Sequence, residues 1–264
     1  MNGLPQRIVC LTTETVEVLY MLGEQDRIVG ISGYTTRPAI GRKEKPKIAA
    51  FTSAKIDKIL ALKPDLVLGF SNLQADIAAT LIKAGVEVHV FNQRSIAEIL
   101  RMILTTGHLV GAGQRAESIV RDIQQQIDVA RESAANLARK PKIYFEEWDD
   151  PMMCSIRWAS ELIAIAGGED CFPELSQYHS ARERTVTPAE VLARKPDIII
   201  GSWCGKKFQP EQVAAREGWQ DMPAIQHNMV FEIKSADILQ PGPSVFRYGL
   251  LQLQAIIRQW SQQP

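Results

Sequence analysis

The ten residues LALKPDLVLG, from Leu60 to Gly69, return as LARKPDIIIG from Leu192 to Gly201. The offset is 132 residues, half of the 264-residue chain. A chain that repeats one phrase at that distance is built from two related halves. Short helices precede the two copies, AKIDKILAL in the first half and TPAEVLAR in the second. In the second, Thr187 is placed to cap, Pro188 takes the first helical position, and Glu190 follows three residues after the cap. Lys63-Pro64 and Lys195-Pro196 end these helices, because proline restricts the residue before it. DLVLG and DIIIG then read as continuous apolar runs with β-branched residues, suited to buried parallel strands. Gly69 and Gly201 are expected to free the backbone at the carboxyl end of each strand.

The rest of each half follows the same alternation. RIVCL and RIVGIS are expected strands separated by the helix TVEVLYMLG. Asn72 is placed to cap the helix LQADIAATLIKAG, the strand VEVHVF follows, and a further helix begins near Ser95. The second half opens on the strand KIYFEE and continues with a helix through WASELIAIAGG. After the repeat it adds a helix near QPEQVAARE, the strand MVFEI and a last helix from about Pro243 to Gln259. Alternating strands and helices of this kind imply α/β lobes with mostly parallel sheets. Between the lobes, Gln114 to Arg139 contains no Gly or Pro. Ile119, Ile123, Ile127, Ala130, Ala134 and Leu137 fall on one helical face. The expected organisation is therefore an α/β lobe over 1–110, a connecting helix over 111–140, and a second α/β lobe over 141–264. A rigid helical connector implies a cleft that closes only slightly.

Composition narrows the function classes. Thirty basic and thirty acidic residues leave no formal net charge, so nothing points to a nucleic-acid partner, which would need a basic footprint. No run of 18 apolar residues suggests a membrane span. The start, MNGLPQRIVCL, lacks the apolar stretch of a signal peptide. Either an export signal lies outside this sequence or the chain stays in the cytoplasm. Cys10, Cys154, Cys171 and Cys204 include no C-x-x-C pair. His89, His108, His179 and His227 form no H-x-x-x-H or H-E-x-x-H pattern. G-x-S-x-G, G-x-x-x-x-G-K-[ST] and G-x-G-x-x-G are all missing, and Cys204 is left as the one conceivable nucleophile. No metal ligand and no catalytic residue is assigned.

RIVCLTTETVEVLYMLGEQDRIVGIS, KIDKILALKPDLVLGF, the long central helix, ELIAIAGGEDCF, VTPAEVLARKPDIIIGS and the terminal PGPSVFRYGLLQL together resemble the periplasmic metal-chelate binding proteins of the helical-backbone family. Within that family the chain is most similar to the vitamin B12-binding branch. The resemblance implies two α/β lobes joined by a long rigid helix, a ligand cleft between them, and a monomer without a catalytic cycle. The implied ligand is a cobalamin-like corrinoid, with a ferric siderophore or haem as the alternative. The implied partner is the permease dimer of an ABC importer. A cytoplasmic enzyme that handles metal chelates is the alternative of a different class.

Ligands of open α/β sheets sit beyond the carboxyl ends of the strands. Reading outward from each expected strand gives Tyr34, Phe51, Phe70 and, as a further candidate, Thr13 in the first half. In the second half it gives Trp148, Trp203, Phe246 and Arg247. By resemblance, Tyr34, Phe51 and Phe70 take aromatic positions around a corrin, although that branch often has Trp where Phe51 and Phe70 stand. Trp148 and Trp203 lie in polar, Gly-rich stretches with no helical periodicity to make them core, and flat rings suit a flat ligand. Glu146, Glu147, Asp149 and Asp150 surround Trp148. At least two of them are expected to be solvated, and four acids would disfavour an anionic siderophore. By resemblance again, Asp76 and Glu211 are the paired acids that would dock on a permease.

Overall fold

In the computed structural model, which describes residues 3–263, the chain divides into two compact units. One comprises the residues up to Gln93 together with Ala97–Asp122; the other comprises Arg94–Ile96 and the residues from Ile123 onward. The last of the three crossings between them, from Asp122 to Ile123, falls inside the uninterrupted helix Gly113–Ala135.

The first unit alternates strand and helix: β1 (Ile8–Cys10), α1 (Thr13–Met21), β2 (Ile28–Ser32), α2 (Ala39–Glu44), β3 (Lys47–Ala49), α3 (Ile56–Ala61), β4 (Leu66–Phe70), α4 (Ala75–Lys83), β5 (Val88–Phe91) and α5 (Ile96–Leu109). Its five strands are all parallel, in the order β3-β2-β1-β4-β5. Val9, Leu11, Ile48, Ile59, Val67 and Leu81 form its apolar core.

Helix α6 (Gly113–Ala135) follows. Its 23 residues span roughly 34 Å at 1.5 Å per residue. The expected apolar face is buried at Ile119, Ile123, Ile127, Ala130 and Ala134. The helix stops short of Arg139. The amides of Asn136 and Leu137 turn back to the carbonyls of Ser133 and Ala134 in a tighter i→i+3 pattern that closes the helix. Leu137 then packs where Gly167 leaves room: a β-carbon on Gly167 would stand 2.6 Å from its Cδ1.

The second unit contains β6 (Lys142–Glu146), β7 (Trp148–Asp149), β8 (Met152–Met153), α7 (Arg157–Ala166), β9 (Glu169–Asp170), α8 (Pro188–Arg194), β10 (Ile198–Gly201), α9 (Pro210–Ala214), α10 (Pro223–Gln226), β11 (Val230–Glu232), α11 (Ser235–Ile238) and α12 (Leu251–Ser261). The parallel sheet runs β11-β10-β6-β9, and β7 and β8 pair as a separate antiparallel ribbon. The order matches β5-β4-β1-β2 of the first sheet. The last helix starts with π-helical turns over Val245–Leu250, where Gly249 passes so close to Asp237 that a β-carbon would sit 2.8 Å from its carbonyl oxygen.

The repeat has a structural role in both units. Asp65 accepts the backbone N–H groups of Gln6 (2.7 Å) and Arg7 (2.8 Å), tying β4 to the residues that lead into β1. Asp197 accepts that of Lys142 (2.8 Å) and ties β10 to β6. The registers agree: Ile8 stands opposite Leu66, and Ile143 opposite Ile198. Lys63 and Lys195 both adopt the left-handed conformation, at φ of 46° and 50°. This is how each helix stops before its proline. The capping box of Thr187 and Glu190 is present with Pro188 inside it.

The two glycines act differently from expectation. Neither Gly69 nor Gly201 has a positive φ among the described residues. What each provides is space. A β-carbon on Gly69 would stand 2.9 Å from Gln74 Oε1, and one on Gly201 would stand 1.8 Å from the ring of Phe208.

Candidate functional site at the strand ends

In the first unit, the loops beyond the strands are held by a buried amide. Gln74 is completely buried. Its Oε1 accepts from the Phe70 amide (3.0 Å), and its Nε2 donates to the carbonyls of Phe51 (2.8 Å) and Leu11 (3.4 Å). Three loops therefore converge, and the rings of Phe51 and Phe70 come to 6.3 Å between centroids. Phe70 is buried and Phe51 half-buried. Tyr34 is 59% exposed, on a loop braced by the Arg42 guanidinium through the carbonyls of Gly33 and Thr35. Thr13 opens α1 and is buried, as is its neighbour Glu14. Glu14 Oε1 has no hydrogen-bond partner, and burial pushes this carboxyl up to about 7.

In the second unit, the corresponding position carries a buried ion pair. Glu146, at the end of β6, is completely buried. It accepts two hydrogen bonds from the Arg216 guanidinium (2.6 and 2.9 Å), one from the Trp203 indole N–H (3.0 Å) and one from the Tyr144 hydroxyl (3.0 Å). Burial and the neighbouring Glu146 carboxylate drive the Tyr144 phenol well above its ordinary range. Burial alone would lower Arg216, but the hydrogen bonds and charge of Glu146 outweigh it and hold the guanidinium above its usual value.

Trp203 is consequently a core residue, 4% exposed, packed edge-on against Phe208 at 4.9 Å. Its lack of helical periodicity did not place it in solvent, because a buried carboxylate partner satisfies its N–H. Trp148 lies on the β7–β8 ribbon, half-buried, with its indole N–H donated to the Asp150 carbonyl (2.8 Å). The Lys206 ammonium stands 4.8 Å from the Trp148 ring centroid and 4.7 Å from that of Trp203. Phe246 is completely buried, while its neighbour Arg247 is exposed.

The acidic cluster proves largely compensated. Besides the Glu146–Arg216 pair, Glu147 meets Arg184 at 2.5 Å and Asp149 meets Lys206 at 2.6 Å, leaving Asp150 exposed. The expected bias against anionic chelates loses most of its electrostatic basis. None of the three cationic partners is near the cluster in sequence, which is why the sequence concealed them. Asp76 and Glu211 are both exposed, each at the second position of the helix that follows a repeated strand.

Cys154 and Cys171 are free thiols in one apolar cluster, each pushed up to about 12 by burial. The exposed Cys204 thiol is also raised, by desolvation and then by Glu147. Among the described residues, no group of three or more His, Cys, Asp or Glu could hold a metal ion, and no helix is long and apolar enough to cross a membrane. Two surface hollows in the first unit, of about 630 and about 270 Å³, are lined by none of the candidate residues.

Comparison with known proteins gives these sites a context. A model described as periplasmic binding protein matches residues 8–236. An uncharacterized ABC transporter substrate-binding lipoprotein, YvrC, of Bacillus subtilis (strain 168) is 23% identical, over 90% of this chain and 76% of that protein. A vitamin B12-binding protein of Vibrio campbellii is also 23% identical, over 91% of this chain and 85% of its own. Among solved structures, the apo form of the periplasmic heme-binding protein RhuT from Roseiflexus sp. RS-1 matches with a TM-score of 0.84 at 22% identity. It covers 97% of this chain and 99% of its own.

Proposed function

The chain belongs to the periplasmic binding protein family, and we propose that it binds a cobalamin-like corrinoid, without converting it, as the substrate-binding component of an ABC importer. The observation that carries the reading is the convergence of Trp148 and Trp203 on one point, each ring within 4.8 Å of the Lys206 ammonium. Both indoles are oriented by hydrogen bonds of their own, so their faces are set before any ligand arrives. Phe51, Phe70 and Tyr34 are the proposed ligand-facing residues of the first unit, and Arg247 is proposed beside the tryptophans in the second. Phe246, having no exposed surface, is left out of the ligand-facing set. Asp76 and Glu211 are the proposed contacts with a permease. Their matching positions suit a two-fold partner.

Haem or a ferric siderophore is the second reading. It is favoured by the compensated acidic cluster, in which three of the four acids around Trp148 are ion-paired and Asp150 is left exposed, and by the RhuT likeness. The deciding experiment titrates the purified protein with cobalamin, haem and ferric siderophores while tryptophan fluorescence and ligand absorbance are followed. Saturable, reversible cobalamin binding with unchanged ligand is expected. Saturation by haem or a siderophore without a cobalamin response would select the second reading. Accumulation of a product would replace both with an enzyme.

A further inference from the structure

We propose that Trp148, Trp203 and Asp149 form a subsite for the primary ammonium group of a ligand, and that Lys206 is its resident occupant in the free chain. The Lys206 ammonium faces both indoles, at 4.8 and 4.7 Å from their centroids, and donates to Asp149 Oδ2 at 2.6 Å. Two electron-rich ring faces and a carboxylate are a combination that selects an organic cation.

The walls hold their positions without Lys206. Trp203 is fixed by Glu146 and Phe208, and Glu146 by Arg216. Trp148 and Asp149 lie on the β7–β8 ribbon, and Trp148 is tied to the Asp150 carbonyl. The occupant is placed quite differently. Lys206 stands outside helix and strand beside Gly205 (φ 84°), between the exposed Cys204 and Lys207. Its side chain is 42% exposed, and contacts of an exposed ammonium are individually weak. A fixed cage with a loosely held guest is suited to exchange.

One atom specifies the kind of cation. Asp149 Oδ1 is buried and has no hydrogen-bond partner. An acceptor left open beside the cage favours a guest with several N–H donors over a quaternary ammonium, which has none. The inference rests on the reading that Trp148 and Trp203 line a ligand site, and it adds a second guest of another class, a small primary amine, because the amides of a corrinoid are neutral and would not replace the Lys206 ammonium.

Lys206→Ala vacates the cage. Titrating that variant with n-butylammonium chloride, an analogue of the missing side chain, against matched sodium chloride reads the subsite through tryptophan fluorescence. Saturable binding is expected, at least about tenfold weaker in the wild-type chain, where Lys206 competes from a high effective concentration. Adding Trp148→Ala should abolish it, and tetramethylammonium should bind more weakly than butylammonium. Lys206→Gln provides a second vacant background if the alanine variant loses its near-ultraviolet circular dichroism. A folded variant that responds to butylammonium as it does to sodium chloride overturns the subsite. Tetramethylammonium binding as tightly as butylammonium overturns the assignment to a primary ammonium. The probe contains no chelate, so loss of the subsite with chelate binding intact is distinguishable from failure of the chelate reading itself.

Discussion

Two buried carboxyls occupy related places and have opposite surroundings. Glu14 follows β1 and Glu146 ends β6, the matching strand of the other sheet. Glu14 has one oxygen with no partner, and burial raises it to about 7. Glu146 is gripped by Arg216, Trp203 and Tyr144. The same scaffold therefore supports a protonatable acid in one unit and a fixed ion pair in the other. The repeated KPD phrase explains the scaffold, and the loops after the strands explain the difference. In the first unit a neutral amide, Gln74, gathers the loops. In the second a charged pair orients an indole.

The largest expected effect breaks that pair. Arg216→Met strands the Glu146 carboxylate in an apolar interior and should destabilise the protein by about 3 kcal/mol or more. Gln74→Ala, which loses only neutral hydrogen bonds, should cost about 1–2 kcal/mol. Urea unfolding of both variants measures the contrast, and equal losses would erase it.

The glycines sharpen the comparison. Gly201→Ala forces a methyl group against a packed aromatic ring and should cost about 3 kcal/mol. Gly69→Ala meets the Gln74 amide oxygen at 2.9 Å, a milder overlap with a hydrogen-bonded group, and should cost about 1–2 kcal/mol. If the ranking reversed in denaturant midpoints, the Phe208 packing would be misassigned.

Glu14 gives a pH signature. Its folded-state value of about 7 exceeds the ordinary 4.5, so between those values the unfolded chain binds fewer protons than the native one. The stability tied to this carboxyl is full below about pH 4.5 and is lost as pH rises to about 7. Glu14→Gln should flatten that decline, measured as the difference between variant and wild-type unfolding free energies at pH 5 and pH 8. A difference that does not change with pH would contradict the burial account.

A smaller effect probes the repeat. Asp65→Ala removes two backbone ties and Asp197→Ala removes one. Losses of about 1–2 and about 1 kcal/mol are expected in the same unfolding assay. No loss in either would deny the repeat its role in joining strands.

Much of the scaffold was legible in the sequence. The apolar runs became the repeated parallel strands, the Thr187–Glu190 box capped α8, and the stripe from Ile119 to Ala134 became the buried face of α6. These signals are local, so a short window contains their cause. The site was less legible because its partners are distant in the chain. Nothing near Glu146 announces Arg216, seventy residues on. Gly201 reads as a conformational glycine until Phe208 is seen against it. The two-residue strands β7 and β8 are too short to show alternation, although they present Trp148. The pairing of Asp149 with Lys206 turned an apparent acidic patch into a cage.

The most direct test of the central claim, that the strand-end tryptophans of the second unit bind the ligand, is calorimetric titration of cobalamin into wild-type protein and Trp148→Ala. Saturable one-to-one binding is expected, weakened by roughly 1–3 kcal/mol in the variant, about five- to over a hundredfold in affinity. An unchanged affinity in a variant that keeps its far-ultraviolet circular dichroism would place Trp148 outside the contact shell and contradict the account.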